Sequence, residues 1–299
     1  MRKIICSRDT KHYEGDRMNK DLEQIIMSAG DLPTIPVVAT KVLQLMEDEN
    51  STAEDLARVV ESDPAVAARV LKISNSSFYG AQRQIQTLPH AVMMLGFVTL
   101  KGVVVAASVK QVYHPYGLTE KLLWEHSFGA GLAARMIAAD LRQINPEEAF
   151  LGGLFHDIGK QIMNFLDKNK FQEVMQRCYN DGIPFKTAEQ MLFHYTHEEA
   201  GALVIKKWNF PEHLMKAVMA HHTLDLAADE EPYLINLTNV VSLANLFCHR
   251  CGVGTLAAED DLDLAATLPA QNLGLDADRI AVLLERFIEA YTKDQSLFA

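Results

Sequence analysis

The chain has 299 residues, a formal charge of −11, 48% apolar residues and 22% charged ones, which suits one large domain or two medium ones around a substantial core. The acidic balance, with no cluster of Lys and Arg, argues against nucleic acid as the main partner. No window approaches the length of an apolar membrane span, and four cysteines (Cys6, Cys178, Cys248, Cys251) make no disulfide framework in a chain this long.

The opening MRKIICSRDTKHYEGDRMNK turns polar too soon for a signal peptide, so a soluble cytoplasmic protein is expected. Residues 1–18 read as a loose tail on their polarity. Ser51-Thr52-Ala53-Glu54 has the form of a capping box before an apolar-periodic run to Val60. Asp63-Pro64 then pairs a cap with a first-turn proline. SNSSFYG, residues 74–80, reads as a helix end and turn whose aromatics pack on the core, and Met93-Met94 as core filler. VVVAASV at 103–109 lacks period-two alternation and reads as a buried helix end. HPYGL, residues 114–118, punctuates the chain with proline and glycine. It divides a helical half, 19–114, from a second, 115–250, and 251–299 follows as a C-terminal helical extension.

In the second half, helices are expected over about 120–140, after Asn145-Pro146, after the Thr196–Glu199 box, after Pro211 and over about 232–249, with Asp276 capping the last. Segments 223–232 and 252–275 read as loops or short helices. Trp124 and Trp208 read as packing between helices. Cys248-His249-Arg250-Cys251 lacks a second pair to close a tetrahedral site and reads as two reduced thiols at a helix end. The fold class is all-α, a multi-helix bundle.

Polar residues interrupt several apolar stripes. Leu122, His126, Gly129, Ala133 and Ile137 share one helix face at steps of three and four. Leu214, Ala217, Val218 and His221 share another, with His222 beside it. Asn245 breaks the stripe Leu237, Val241, Cys248. His156 and Asp157 end the apolar run LGGLF, and His197 lies four residues before Gly201, where a small residue permits close packing. A buried polar group without a partner costs roughly 1–3 kcal/mol. A single histidine of this kind is best read as donating to a nearby carbonyl. Seven polar positions on five segments are more economically explained by convergence, with imidazoles and a carboxylate forming a site for a divalent cation.

The order His126, His156-Asp157, His197, His221-His222 resembles the HD superfamily of metal-dependent phosphohydrolases. The wider context is similar to one branch of it. LPTIPVVATKVLQLMED, LARVVESDPAVAARVLKISNSSFYG and TLPHAVMMLGFVTLKGVVVAAS look like the first half of an HDOD domain. WEHSFGAGLAARMIA, EEAFLGGLFHDIGK, HEEAGALVIKKWNFPEHLMKAVMAHH and VVSLANLF look like the second. The resemblance spans roughly residues 20–250. It implies an N-terminal helical subdomain packed on an HD-type helical subdomain, and a signalling role related to the HD-GYP cyclic-dinucleotide phosphodiesterases. It also implies that His126, His156, Asp157, His197, His221 and His222 are metal ligands, and that Lys160 matches the lysine that helps hold substrate phosphate. The family's closing aspartate falls at Asn245, which can coordinate through its carbonyl oxygen but brings no charge. A glutamate that some relatives carry falls at Leu122. The GYP motif is absent, since TLDLAADEEPYL follows His222.

One or two ions of the Fe, Mn, Zn or Ni kind are therefore expected. Asp157 would bridge, with His126 and His156 on one side, and His197, His221 and His222 on the other. Asn245 is expected at the rim. Two functions remain in view. One is a regulatory module working through a signalling protein partner, with a degenerate metal site. The other is a phosphohydrolase acting on a phosphate-containing small molecule, in which Asp157 and Lys160 serve catalysis. The balance favours the module. A helix-turn-helix reading of TAEDLARVVESDPAVAARVLKIS ranks last, because Glu54, Asp55, Glu61 and Asp63 outweigh Arg58, Arg69 and Lys72. No membrane role is expected.

Overall fold

The structure is a computed structural model that describes residues 22–27, 36–48, 50–79, 84–113 and 117–293. The expected tail, Cys6 and much of HPYGL lie outside the described residues. Those described form helices and connecting turns, with no strand among them.

The first group of helices is α1 (Val37–Glu47), α2 (Ala53–Glu61), α3 (Pro64–Ser74), α4 (Leu88–Leu95) and α5 (Phe97–Val109). The capping box of α2 lies one residue later than the sequence reading placed it. Thr52 caps and Asp55 reciprocates, because the Asp55 carboxylate reaches both the Thr52 backbone N–H at 3.0 Å and its hydroxyl at 2.6 Å. Asp63 caps α3 as expected, its carboxylate accepting from Ala65 and Val66. Gly96, at φ 82°, makes the turn between α4 and α5 that a side chain would strain. From Leu100 to Val109 every residue of α5 is buried, which explains an apolar run without a polar face. It packs on α1 and α3 on one side and on the second group on the other.

That second group comprises α6 (Leu118–Leu141), α7 (Pro146–Phe155), α8 (Ile158–Leu166), α9 (Lys168–Asp181), α10 (Phe185–Leu192), α11 (His197–Lys207), α12 (Glu212–Ala220) and α13 (Pro232–Cys251). Asn145 caps α7 and a Thr196–Glu199 box caps α11. Helices α6, α7 and α13 pack together, as do α8, α11 and α12. A short α14 (Leu268–Asn272) precedes α15 (Ala277–Lys293), which folds back on α6. Asp276 bonds the Arg279 backbone N–H at its start. One hydrophobic core runs through both groups. Trp124 stacks on Phe128 and meets Tyr113 edge-on, while Trp208 meets Phe155, so both tryptophans pack between helices. Cys248 and Cys251 are free thiols in the last turn of α13.

One packing expectation is overturned. Met93 and Met94 are 76% and 44% exposed, not core filler. The short α4 buries Leu88 and Ala91 and packs Val92 and Leu95 against the core, which leaves Met93 and Met94 on its outer face.

Candidate metal centre

His126 lies midway along α6, on its buried face. His156 follows the last residue of α7 and His221 the last of α12, and each turns back to donate from Nδ1 to the carbonyl three residues earlier. The distances are 2.6 Å to Gly153 and 2.7 Å to Val218. His126 Nδ1 lies 3.1 Å from the Val253 carbonyl. An imidazole that donates from Nδ1 carries its lone pair on Nε2, the arrangement a metal ligand needs. His156 and His221 therefore point bare Nε2 atoms inward, while His126 has an acceptor at each nitrogen, the Val253 carbonyl at Nδ1 and Asn245 Oδ1 at Nε2, and bares Nε2 when its proton sits on Nδ1.

Glycines let these helices approach. A Cβ on Gly153 would stand 2.5 Å from the Ala130 carbonyl oxygen, so α7 touches α6 backbone to backbone. A Cβ on Gly159 would run into the His197 carbonyl and lie 2.8 Å from the Gly201 nitrogen, which fixes α8 on α11.

Asp157, between α7 and α8, is the hub. Its Oδ2 lies 3.5 Å from His126 Nε2 and from His156 Nε2, and takes the Lys160 ammonium at 2.7 Å. Its Oδ1 lies 3.3 Å from His197 Nε2 and 3.8 Å from His221 Nε2, and accepts no hydrogen bond. His221 Nε2 also lacks a partner. His222 Nε2 approaches His197 Nε2 at 3.1 Å. On the other side, His126 Nε2 stands 3.3 Å from His156 Nε2 and 2.9 Å from Asn245 Oδ1. Two groups of donor atoms thus share Asp157: His126 and His156 in one, and His197, His221 and His222 in the other. The orphaned Oδ1 and Nε2 atoms, and inward lone pairs with few protons between them, fit a divalent cation.

The seven expected positions come together, but their order from inside to outside differs from expectation. Asn245 is buried against His126 rather than set at the rim. It is His222 that opens to solvent. The reason is that α13 packs directly on α6, so the Asn245 face cannot reach the surface.

Charge follows this geometry. Burial drives His126 down to about 4 against the pull of Asp157, and it drives His156 down and His221 well down. Burial also works against the charged forms of Asp157 and Lys160. Lys160 and the surrounding histidines together overcome it in Asp157, and Asp157 with Glu189 overcomes it in Lys160, so Asp157 titrates well below the usual carboxylate range and Lys160 above the usual lysine. His197 is the exception among the buried rings. Burial lowers it, yet Glu189 beside it raises it overall.

The sequence profile of the HDOD domain matches residues 32–224, more than half of the chain. The chain belongs to the HDOD family. This HDOD chain is similar to an HDOD domain protein of unknown function from Geobacter sulfurreducens, with 24% identity and a TM-score of 0.79 over 94% of this chain and 99% of the other. It is similar to a candidate phosphohydrolase from Shewanella amazonensis, with 24% identity and a TM-score of 0.71 over 93% and 96%. At such identities the likeness is one of fold. An uncharacterised Treponema pallidum protein is 23% identical over 217 residues, which is 72% of this chain and 42% of the relative, so the HDOD chain spans less than half of that relative's length.

Glu189 and Glu198 escaped the sequence reading. Glu189, fully buried on α10, accepts from His197 Nδ1 at 2.7 Å and from its backbone N–H at 3.0 Å. Glu198 is buried with Oε2 3.8 Å from the same Nδ1, and its Oε1 meets Lys186 at 3.1 Å. A signal existed for Glu189. Phe185, Ala188, Glu189 and Leu192 fall on one helical stripe, the pattern that singled out His126.

Proposed function

We propose that this HDOD protein is a regulatory module that acts through a protein partner and holds a divalent cation in its His/Asp cluster without turning over a phosphoester. The observation that carries this reading is the closure of the cluster. His126, His156, Asp157, Lys160, His197, His221 and Asn245 are all buried, and only His222 reaches solvent. A phosphoester would have to enter beside Lys160, whose ammonium is already spent on Asp157. Asp157, His197, His221 and His222 would hold an ion of the Fe, Mn, Zn or Ni kind, because three imidazoles and one carboxylate suit such ions better than magnesium or calcium. His126, His156 and Asn245 would offer a weaker second position, with no carboxylate of their own. Exposed Met93, Met94 and Val98 give the first group of helices apolar surface that a partner could cover.

The second reading is a metal-dependent phosphohydrolase, in which the ion acidifies bound water and Lys160 is released to phosphate. The opening at His222 favours it, as does the name of the Shewanella neighbour. Elemental analysis of untagged protein purified without chelator, beside a His156→Ala/Asp157→Ala variant, tests both readings together with a phosphoester screen. Near-stoichiometric metal that the variant loses, with no turnover, is the expected result. Turnover that follows the metal would replace the first reading by the second. No metal, and none taken up when offered, would leave the cluster a hydrogen-bond network.

A further inference from the structure

We propose that Glu189 is the positioning residue of this centre: its carboxylate fixes the His197 ring with Nε2 bare towards Asp157 Oδ1 and makes His197 the strongest imidazole donor of the cluster. The inference rests on the cation reading above.

Three observations carry it. First, Glu189 is a fully buried carboxylate spent on one residue, with His197 Nδ1 2.9 Å from Oε1 and 2.7 Å from Oε2. A buried charge of this kind persists only where its partner repays the desolvation. Second, the other rings whose Nδ1 contacts are described (His126, His156, His221) face neutral carbonyls. A hydrogen bond to a charged acceptor is roughly twice as strong as a neutral one, and it raises the basicity of the far nitrogen.

Third, capping does not account for Glu189. Its bond to the His197 backbone N–H adds to the helix cap, yet the box at the start of α11 forms without it. Glu199 accepts from the Thr196 N–H at 2.8 Å, and the Thr196 hydroxyl accepts from the Glu199 N–H at 3.4 Å. One backbone N–H does not call for a buried carboxylate, and the further contact Glu189 makes is with the ring. The neighbouring Glu198 is held by Lys186 and stands too far from Nδ1 to take its place.

The test uses the full chain with Glu189→Gln and Glu189→Asp. In metal-free protein labelled with 15N-histidine, wild-type His197 should show a downfield Nδ1–H resonance, with Nε2 unprotonated at the alkaline end of a pH titration. Glu189→Gln should move that proton upfield. With zinc and a competing chromophoric chelator, Glu189→Gln should bind roughly 10–100-fold more weakly, and Glu189→Asp should recover part of the loss. A structural strut alone would lower the unfolding temperature and leave both readouts at wild-type values, which would overturn the proposal. Should Glu189→Gln fail to fold, Glu189→Asp with wild-type affinity and an unmoved Nδ1–H resonance would overturn it equally. If wild-type protein takes up no zinc, the cation reading fails, and the Nδ1–H resonance still decides whether Glu189 orients His197.

Discussion

The two sides of Asp157 are built from the same residue type and held in different ways. On the His126 side, the rings lean on neutral carbonyls and an amide, and Lys160 holds the Asp157 oxygen they face. On the His197 side, a ring leans on a buried carboxylate, another carboxylate stands behind it, and one oxygen of Asp157 is left without a partner. Identical imidazoles thus acquire opposite tendencies. Burial leaves His126 neutral, whereas Glu189 favours charge on His197. What a histidine can do in a buried site is decided as much by the acceptor behind it as by the ligand in front.

The harshest way to break the comparison is mechanical. Gly153 sets the distance across the His126 side, and Gly159 sets it across the His197 side. Gly153→Ala and Gly159→Ala each push a methyl group into a backbone, where no side chain can yield. Each should cost about 3 kcal/mol or more, at the top of the range for overpacking. Urea unfolding measures the loss. A cost under about 1 kcal/mol for either would mean that the two helices are free to part on that side.

A second effect distinguishes the sides by pH in metal-free protein. His126 falls from 6.5 to about 4 on folding, so between those values the unfolded chain binds more protons. Its contribution is complete above pH 6.5 and is lost as pH falls towards 4, about 3 kcal/mol for this ring alone. His197, raised by folding, works the other way. Its contribution is present below the unfolded value and is lost as pH rises through the folded one. Unfolding followed from pH 7 to 4 should therefore show a falling stability that His126→Gln makes shallower, His156 and His221 supplying the rest. A wild-type profile that stays level over this window would show that the buried rings take up protons without cost.

The sequence carries these features unevenly. Helix starts were legible because a cap is local chemistry: Asp63, Asn145 and Thr196 each sit within three residues of the groups they bind. The clustered histidines were legible because a polar residue on an apolar stripe needs a partner, and the resemblance to HD proteins ordered them. Depth was not legible. Asn245 and His222 exchange their expected places because burial depends on which helix arrives from elsewhere, here α13 on α6. Met93 and Met94 were misplaced for the same reason, since apolar composition on a short helix does not say which face finds a neighbour. Glu189 lay on a legible stripe, but a search confined to histidine and its usual partners passes over the acceptor behind the ring.

The gentlest change is the most discriminating, because Asn245→Asp makes the His126 side resemble its opposite. The amide oxygen stands 2.9 Å from His126 Nε2, with both residues buried. A carboxylate there would favour the charged ring, so His126 should take up a proton and offset the new charge. Net stability near neutral pH should then move by no more than about 1 kcal/mol, as it does when a buried charge gains a hydrogen-bonded partner instead of standing alone. The pH 7 to 4 profile should lose the share of its slope that His126 supplies, because the folded state would already hold that proton. Metal content should rise from about one ion towards two, since the second position gains the charge it lacks. An unchanged profile would mean that the His126–Asn245 contact does not set the charge of that side. A shallower profile with no second ion would place the obstacle at Lys160, whose ammonium would still occupy the Asp157 oxygen that both His126 and His156 face.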